Sequence, residues 1–238
     1  MDVILPLNNN IKATTLKDNS EAKLCICGLF KNFTDIDKLY IVTNSFLKDL
    51  PDYEGRIVYV SCPDPFMAKD ANIIHKIKYT LENYEVSDDF LFISDDQVFI
   101  RPVSVDEIKP MIRTYITGSP IYKRRVNNTL HRFRDPIMIN PHQPMIFNKK
   151  LFLQMCAFSN YADRFDSVVI YPLYFNFLRE VKKLPVETVE ETLPYKHYHT
   201  LVEPFSGEFP ENCKILAYSS DMYLNESFRN ELTKILSI

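Results

Sequence analysis

Four short runs, DVILPL (2–7), KLYIVT (38–43), RIVYVS (56–61) and FLFIS (90–94), are apolar almost without interruption and are separated by stretches of helical period. A strand that is apolar on both faces must be covered on both faces. The pattern therefore predicts an α/β fold in which a mostly parallel sheet carries helices on either side. Residues 18–33 read as the first helix, capped by Asp18 or Asn19, with Ala22, Cys25, Ile26, Leu29 and Phe30 as its apolar stripe. Residues 69–83 read as the second, with Ile73, Ile74, Ile77 and Leu81 on one face.

The second half is less regular. Residues 113–125 read as an extended strand running into a basic loop, and 136–149 as strand-like at both ends. Helices are expected over 149–158 and 164–182, the latter kinked or delayed by Pro172. A Pro-rich connection (183–210), a strand (214–220) and a closing helix (225–236) complete the chain. No linker divides it, so a single domain is expected.

The fourth apolar run ends in two adjacent carboxylates, DDFLFISDDQVFIRP (88–102). Ligands of open parallel sheets sit beyond the carboxyl ends of the strands, which is where Asp95 and Asp96 fall. Two aspartates there suit a hard divalent cation, Mn²⁺ or Mg²⁺, whose remaining positions go to water and phosphate oxygens. Alone, the pair suits a solvated turn better, with both side chains facing water.

Its company extends the reading. Asn72 and Lys76, four apart on the second helix, share a face that could meet a sugar hydroxyl and a phosphate. KRRVNNTLHRFR (123–134) holds Lys123, Arg124, Arg125, His131, Arg132 and Arg134 with no acidic residue. In a chain of net charge −3, such a block marks either a solvated segment or an anion site for a diphosphate, a charged sugar or a nucleic-acid backbone. His142 in NPHQP is held between two prolines and could serve as metal ligand, proton acceptor or phosphate contact. Asp166 is a second candidate base. His197 and His199 (KHYH) give only a weak metal spacing.

Composition narrows the possibilities. With four glycines, the chain has neither GxGxxG nor GxxxxGK[ST], so a nucleotide must be held some other way. The five cysteines are odd in number, scattered, and set in apolar sequence, as expected of reduced thiols in a cytoplasmic protein. No signal peptide and no membrane span is expected.

KLYIVTN (38–44), the helix bearing Asn72 and Lys76, DDFLFISDDQVFIRPV (88–103) and HQPMIFNKKLF (142–152) together resemble the Stealth-type sugar-phosphate transferases. They resemble more closely a group of small bacterial and phage-encoded glycosyltransferases of the GT-A fold. The resemblance spans roughly residues 1–180. It implies a UDP-sugar donor, a divalent metal at Ser94-Asp95-Asp96, and a functional His142. Relatives carry a Glu followed by a basic residue in the first helix, matched here by Glu21 and Lys23. A second basic position is Cys27 here, and Asn8, Asn9 and Asn10 stand where relatives tend to have Gly.

On this reading, residues 1–104 are the nucleotide-sugar half and 105–238 the acceptor side. The expected roles are metal ligation by Asp95, Asp96 and His142, donor binding by Asn72, Lys76, Asp95, Arg124 and Arg125, and catalysis by His142, Asp96 or Asp166. The acceptor is a glycan or a modified DNA base. Transfer of sugar-1-phosphate, or a non-catalytic nucleotide or nucleic-acid binding module, are the alternatives.

Overall fold

In the computed structural model, residues 1–8, 20–44, 53, 55–112, 120–139, 142–162, 168–190, 195–198 and 205–237 are described. The first three apolar runs form β1 (Asp2–Pro6), β2 (Leu39–Val42) and β3 (Ile57–Val60), which pair in parallel. Between β1 and β2 lies helix α1 (Ser20–Asn32), and after β3 comes α2 (Lys69–Asn83). The fourth run forms β4 (Asp89–Phe92), on the other side of β1 and again parallel to it. A short strand, β5 (Gln97–Phe99), follows across a tight turn.

The second half contains β6 (Met111–Ile112), α3 (Pro120–Leu130), β7 (Met145–Asn148), α4 (Lys149–Phe158) and α5 (Ile170–Asn176). A π-helical stretch, Phe177–Val181, continues α5. Then come β8 (Val189–Glu190), β9 (Tyr195–Tyr198), β10 (Ile215–Tyr218), α6 (Ser220–Tyr223) and α7 (Glu226–Leu236).

The central sheet has the order β3-β2-β1-β4-β7, with β7 antiparallel to β4. A second sheet, β5-β10-β9, stands beside it, and β6 pairs with β8. Strands from both halves of the chain therefore share the two larger sheets.

Alternation along the strands sorts the core into layers. Ile4, Tyr40, Val42, Phe90 and Phe92 pack with α2, α4 and α5, while Val3, Leu5, Leu39, Ile41 and Leu91 pack with α1. All five residues of β1 are buried, as a strand covered on both faces requires. Phe147 of β7 anchors the first layer, 5.8 Å from Phe92 and 4.5 Å from Tyr174 between ring centroids. On the other side α1 lies so close to β5 that a methyl group at Gly28 would stand 2.7 Å from the Phe99 carbonyl oxygen. Asn32 donates to that same oxygen at 2.7 Å. Lys31 donates to the carbonyls of Ile235 and Leu236, placing a cation on the C-terminus of α7 where the helix dipole favours it.

Three expectations for the second half change. The basic block does not lie in a loop after a strand: Pro120 occupies the first helical position, where its missing N–H costs nothing, and residues 120–130 are helical. Residues 113–119 lie outside the described residues. Only the far end of 136–149 is a strand, and the Pro-rich connection contributes β8 and β9. Pro172 sits in the first turn of α5, which begins at Ile170, in keeping with the delayed start expected of that proline.

Candidate active site

The order of the sheet locates the crevice. From β1 the chain crosses to β2 on one side and later returns to β4 on the other, so the β1/β4 boundary is the topological switch point. Asp95 and Asp96 form the turn immediately beyond β4. That turn is tightly fixed. Gln97 N–H donates to Ser94 O (3.1 Å), and Ser94 N–H donates to Gln97 Oε1 (3.0 Å). Cys25 Sγ donates to Ser94 O (3.4 Å), and Tyr218 N–H donates to Asp96 O (3.1 Å). The two carboxylates are thus presented by a turn bolted to α1 and β10.

Three further segments bring charge to them or to their neighbour Asp70. His142, 46 residues away in sequence, donates from Nε2 to Asp96 Oδ2 at 2.8 Å. Its segment is held by Tyr171, whose hydroxyl donates to Gln143 O (3.0 Å), and by Gln143 Nε2, which donates to Lys109 O (2.6 Å). Lys69 opens α2. Desolvation opposes its charge, but Asp96, Asp95, Asp70 and Glu21 together hold its pKa above the ordinary lysine value. Arg125 of α3 reaches Asp70 Oδ2 at 3.7 Å.

The carboxylates outweigh these cations. Burial, and then the charge of Asp96, push the Asp95 carboxyl up against the opposing pull of Lys69. Burial also raises Asp70, although Lys69 and Arg125 oppose it. Glu21, in the first turn of α1 and only 4 % exposed, is pushed up to about 7 by burial, Asp95 and Asp96. Its buried Oε1 has no hydrogen-bond partner. Beneath the cluster, the Cys25 thiol and the Tyr218 hydroxyl are raised by burial and by the same carboxylates. An excess of negative charge, with Glu21 buried and Asp70, Asp95 and Asp96 half-buried at the crevice, is what a cationic ligand would relieve.

The residues expected from sequence divide clearly. Asp95, Asp96, His142 and Arg125 come together. His142 stands as a hydrogen-bond donor to Asp96, and among the described residues no three His, Cys, Asp or Glu side chains are grouped to hold a metal. Lys76 does not face the cluster. Its ammonium is buried, ion-paired with Asp64 at 2.7 Å and donating to the Leu7 carbonyl just past β1. A buried charge needs such partners, and these fix the loop edges instead of waiting for phosphate. Asn72 clasps the backbone of Phe66, accepting from its N–H (2.9 Å) and donating to its carbonyl (2.8 Å). Arg124 is exposed on the outer face of α3. Asp166 and His199 lie outside the described residues.

Lys69, Asp70 and Tyr218 were not anticipated as site residues. A signal existed for the first two: helices that follow strands in such a sheet begin at its carboxyl edge, so the first turn of α2 had to lie near Asp95. No protein-family model matches the chain, and no curated protein matches it.

Proposed function

We propose that the chain is a metal-dependent glycosyltransferase of the GT-A type, moving a sugar from a nucleotide-sugar donor, in the first instance a UDP-sugar, to an acceptor hydroxyl. The observation that carries this reading is the surplus of carboxylate at the β1/β4 switch point, with half-buried Asp95 and Asp96 side by side on a fixed turn and buried Glu21 behind them. Hard oxygen donors of this kind fit Mg²⁺ or Mn²⁺, which are usually held by one or two carboxylates plus substrate phosphates.

Asp95 and Asp96 would hold the cation, which when bound supplies Lewis-acid neutralisation of the leaving diphosphate. Lys69, on the rim, adds positive charge for the same phosphates. Arg125 holds Asp70 and keeps that carboxylate from adding to the repulsion. His142 orients Asp96 through its Nε2–H and keeps an imidazole at the crevice, where a proton from the acceptor must go. Lys76 and Asn72 act at one remove, fixing the loops after β1 and before α2 that border the donor.

The reading is tested by incubating the protein with a panel of UDP-sugars and Mn²⁺, with and without EDTA, and identifying released nucleotide by ³¹P NMR. Metal-dependent UDP release, lost in an Asp95→Ala/Asp96→Ala protein, is the expected result. Release of UMP would reassign the chain to sugar-phosphate transfer. No release and no donor binding with either metal would sink the enzyme reading.

A further inference from the structure

Helix α3 buries Val126 and Thr129 and packs against α5. Its opposite side is solvent-facing: Ile121, Lys123, Arg124, Asn127 and His131 are exposed, as is Arg134 just beyond the helix. With 100° between successive residues, Arg124, Asn127 and His131 fall on one line with Lys123 beside it. Among the described residues, no acidic side chain lies within ion-pair distance of Lys123, Arg124 or Arg134. Two acids beside Arg134 are already engaged. Glu180 accepts from the backbone N–H groups of Arg134 (2.7 Å) and Asp135 (2.9 Å), and Asp135 is paired with Arg179 at 2.5 Å. Arg125, on the inner edge of the same helix, reaches Asp70 in the candidate site. Among the described residues, a cationic face without acidic partners therefore runs away from the rim of that site.

We propose that this outer face of α3 docks the phosphate backbone of a nucleic-acid duplex beside the carboxylate crevice. Arg, Lys and Asn are the side chains that contact backbone phosphates. Eleven helical residues set them along a rigid rod of about 16 Å, matched to a stiff, evenly charged partner. The helix exposes no aromatic ring on which the unpaired bases of a single strand would stack, since its one aromatic residue, Tyr122, is half-buried. Docking itself does not depend on the transferase reading. Only its consequence does, that the acceptor hydroxyl is carried by the duplex.

The test is fluorescence anisotropy with a labelled duplex of about 20 base pairs, in the absence of divalent metal and nucleotide-sugar. Binding with a dissociation constant on the order of 10⁻⁵ M at 50 mM salt is expected. Log affinity should fall against log salt with a slope of about −3, the value for three neutralised phosphates. Lys123→Ala/Arg124→Ala/Arg134→Ala should weaken binding at least about tenfold and flatten that slope, with circular dichroism unchanged because all three side chains are exposed. Lys150→Ala, an exposed cation on α4, should leave binding as it was. The proposal is overturned by three results: no salt-dependent binding, equal binding by the triple variant, or tighter binding to a single strand or to heparin than to the duplex. Duplex binding without UDP release would remove the transferase reading and leave this surface standing. UDP release without duplex binding would do the reverse.

Discussion

The two ends of the central sheet each bury a carboxylate to the same degree, and they treat it in opposite ways. At the amino end, Asp2 is 4 % exposed and fully used: Oδ1 accepts from Lys38 N–H (3.2 Å) and Oδ2 from Ser87 N–H (2.7 Å). It ties together the starts of β1, β2 and β4. At the carboxyl end, Glu21 is also 4 % exposed, yet one oxygen is unpartnered and its neighbours are Asp95 and Asp96. Burial without compensation costs stability. The amino end closes the fold, whereas the carboxyl end carries an electrostatic cost that a proton on Glu21 relieves and that the proposed cation would also offset. On the proposed function, substitutions should fall into two classes according to the end they touch.

The sharpest separation is expected at the turn itself. Asp95→Asn/Asp96→Asn should lower metal-dependent donor turnover by about 10³-fold, equivalent to the several kcal/mol a bound cation contributes. It should at the same time raise the melting temperature of the metal-free protein, because two like charges leave a crowded site. Turnover assays and a thermal melt on the same preparation check both. A fall in melting temperature would mean that the turn is structural.

Lys76 is the residue that breaks the simple division, since it lies near the carboxyl edge but acts like the amino end. Lys76→Met removes the charge paired with buried Asp64 and the donor to Leu7 O, and should cost about 3–5 kcal/mol. That corresponds to a drop of roughly 10 °C in melting temperature for a chain of this size. Asp2→Ala, at the amino end, deprives two backbone N–H groups of a charged acceptor and should cost about 3 kcal/mol with turnover per folded molecule unchanged. Urea titration measures both, and a comparable loss of turnover in the Asp2 variant would collapse the comparison.

The division between halves was also a division in legibility. In the first half, each strand is apolar on both faces and each helix has one stripe, so period and composition agree and elements such as α2 fall where the pattern places them. The same two-sided burial put Asp95 and Asp96 at a strand's carboxyl end before any contact was known. In the second half, α3 has only Val126 and Thr129 buried, too narrow a stripe to announce a helix amid six basic residues. β8 and β9 are short, and pairing across the chain decides them. The surroundings of two expected site residues were hidden for a related reason. Helical spacing put Asn72 and Lys76 on a shared face but could not say which groups that face would meet, and both turned out to be consumed by loop backbone and by Asp64. The His142–Asp96 contact, across 46 residues, is a product of the β4–β7 pairing and has no local signature.

The smallest expected effect reads the carboxyl end most directly, because it changes sign. Glu21 has its pKa raised from 4.5 to about 7 in the folded protein. Between those values the folded state keeps a proton that the unfolded state gives up, so wild-type stability falls as pH rises through that window. Below it, both states are protonated and nothing is lost. Above it the cost is constant, about 3 kcal/mol at roughly 1.4 kcal/mol per pKa unit. Glu21→Gln cannot ionise and escapes this cost, but its amide must be buried among the same groups at a cost of about 1 kcal/mol. The variant should therefore be less stable than wild type by about 1 kcal/mol at pH 4 and more stable by about 2 kcal/mol at pH 8. The curves should cross between. Urea denaturation at the two pH values measures this directly. Adding Mn²⁺ at pH 8 should shrink the advantage, since a cation stabilises the charged form that only the wild type possesses. Parallel pH curves for the two proteins would show that Glu21 does not share the field of Asp95 and Asp96. The surplus negative charge at the crevice would then rest on the two aspartates alone.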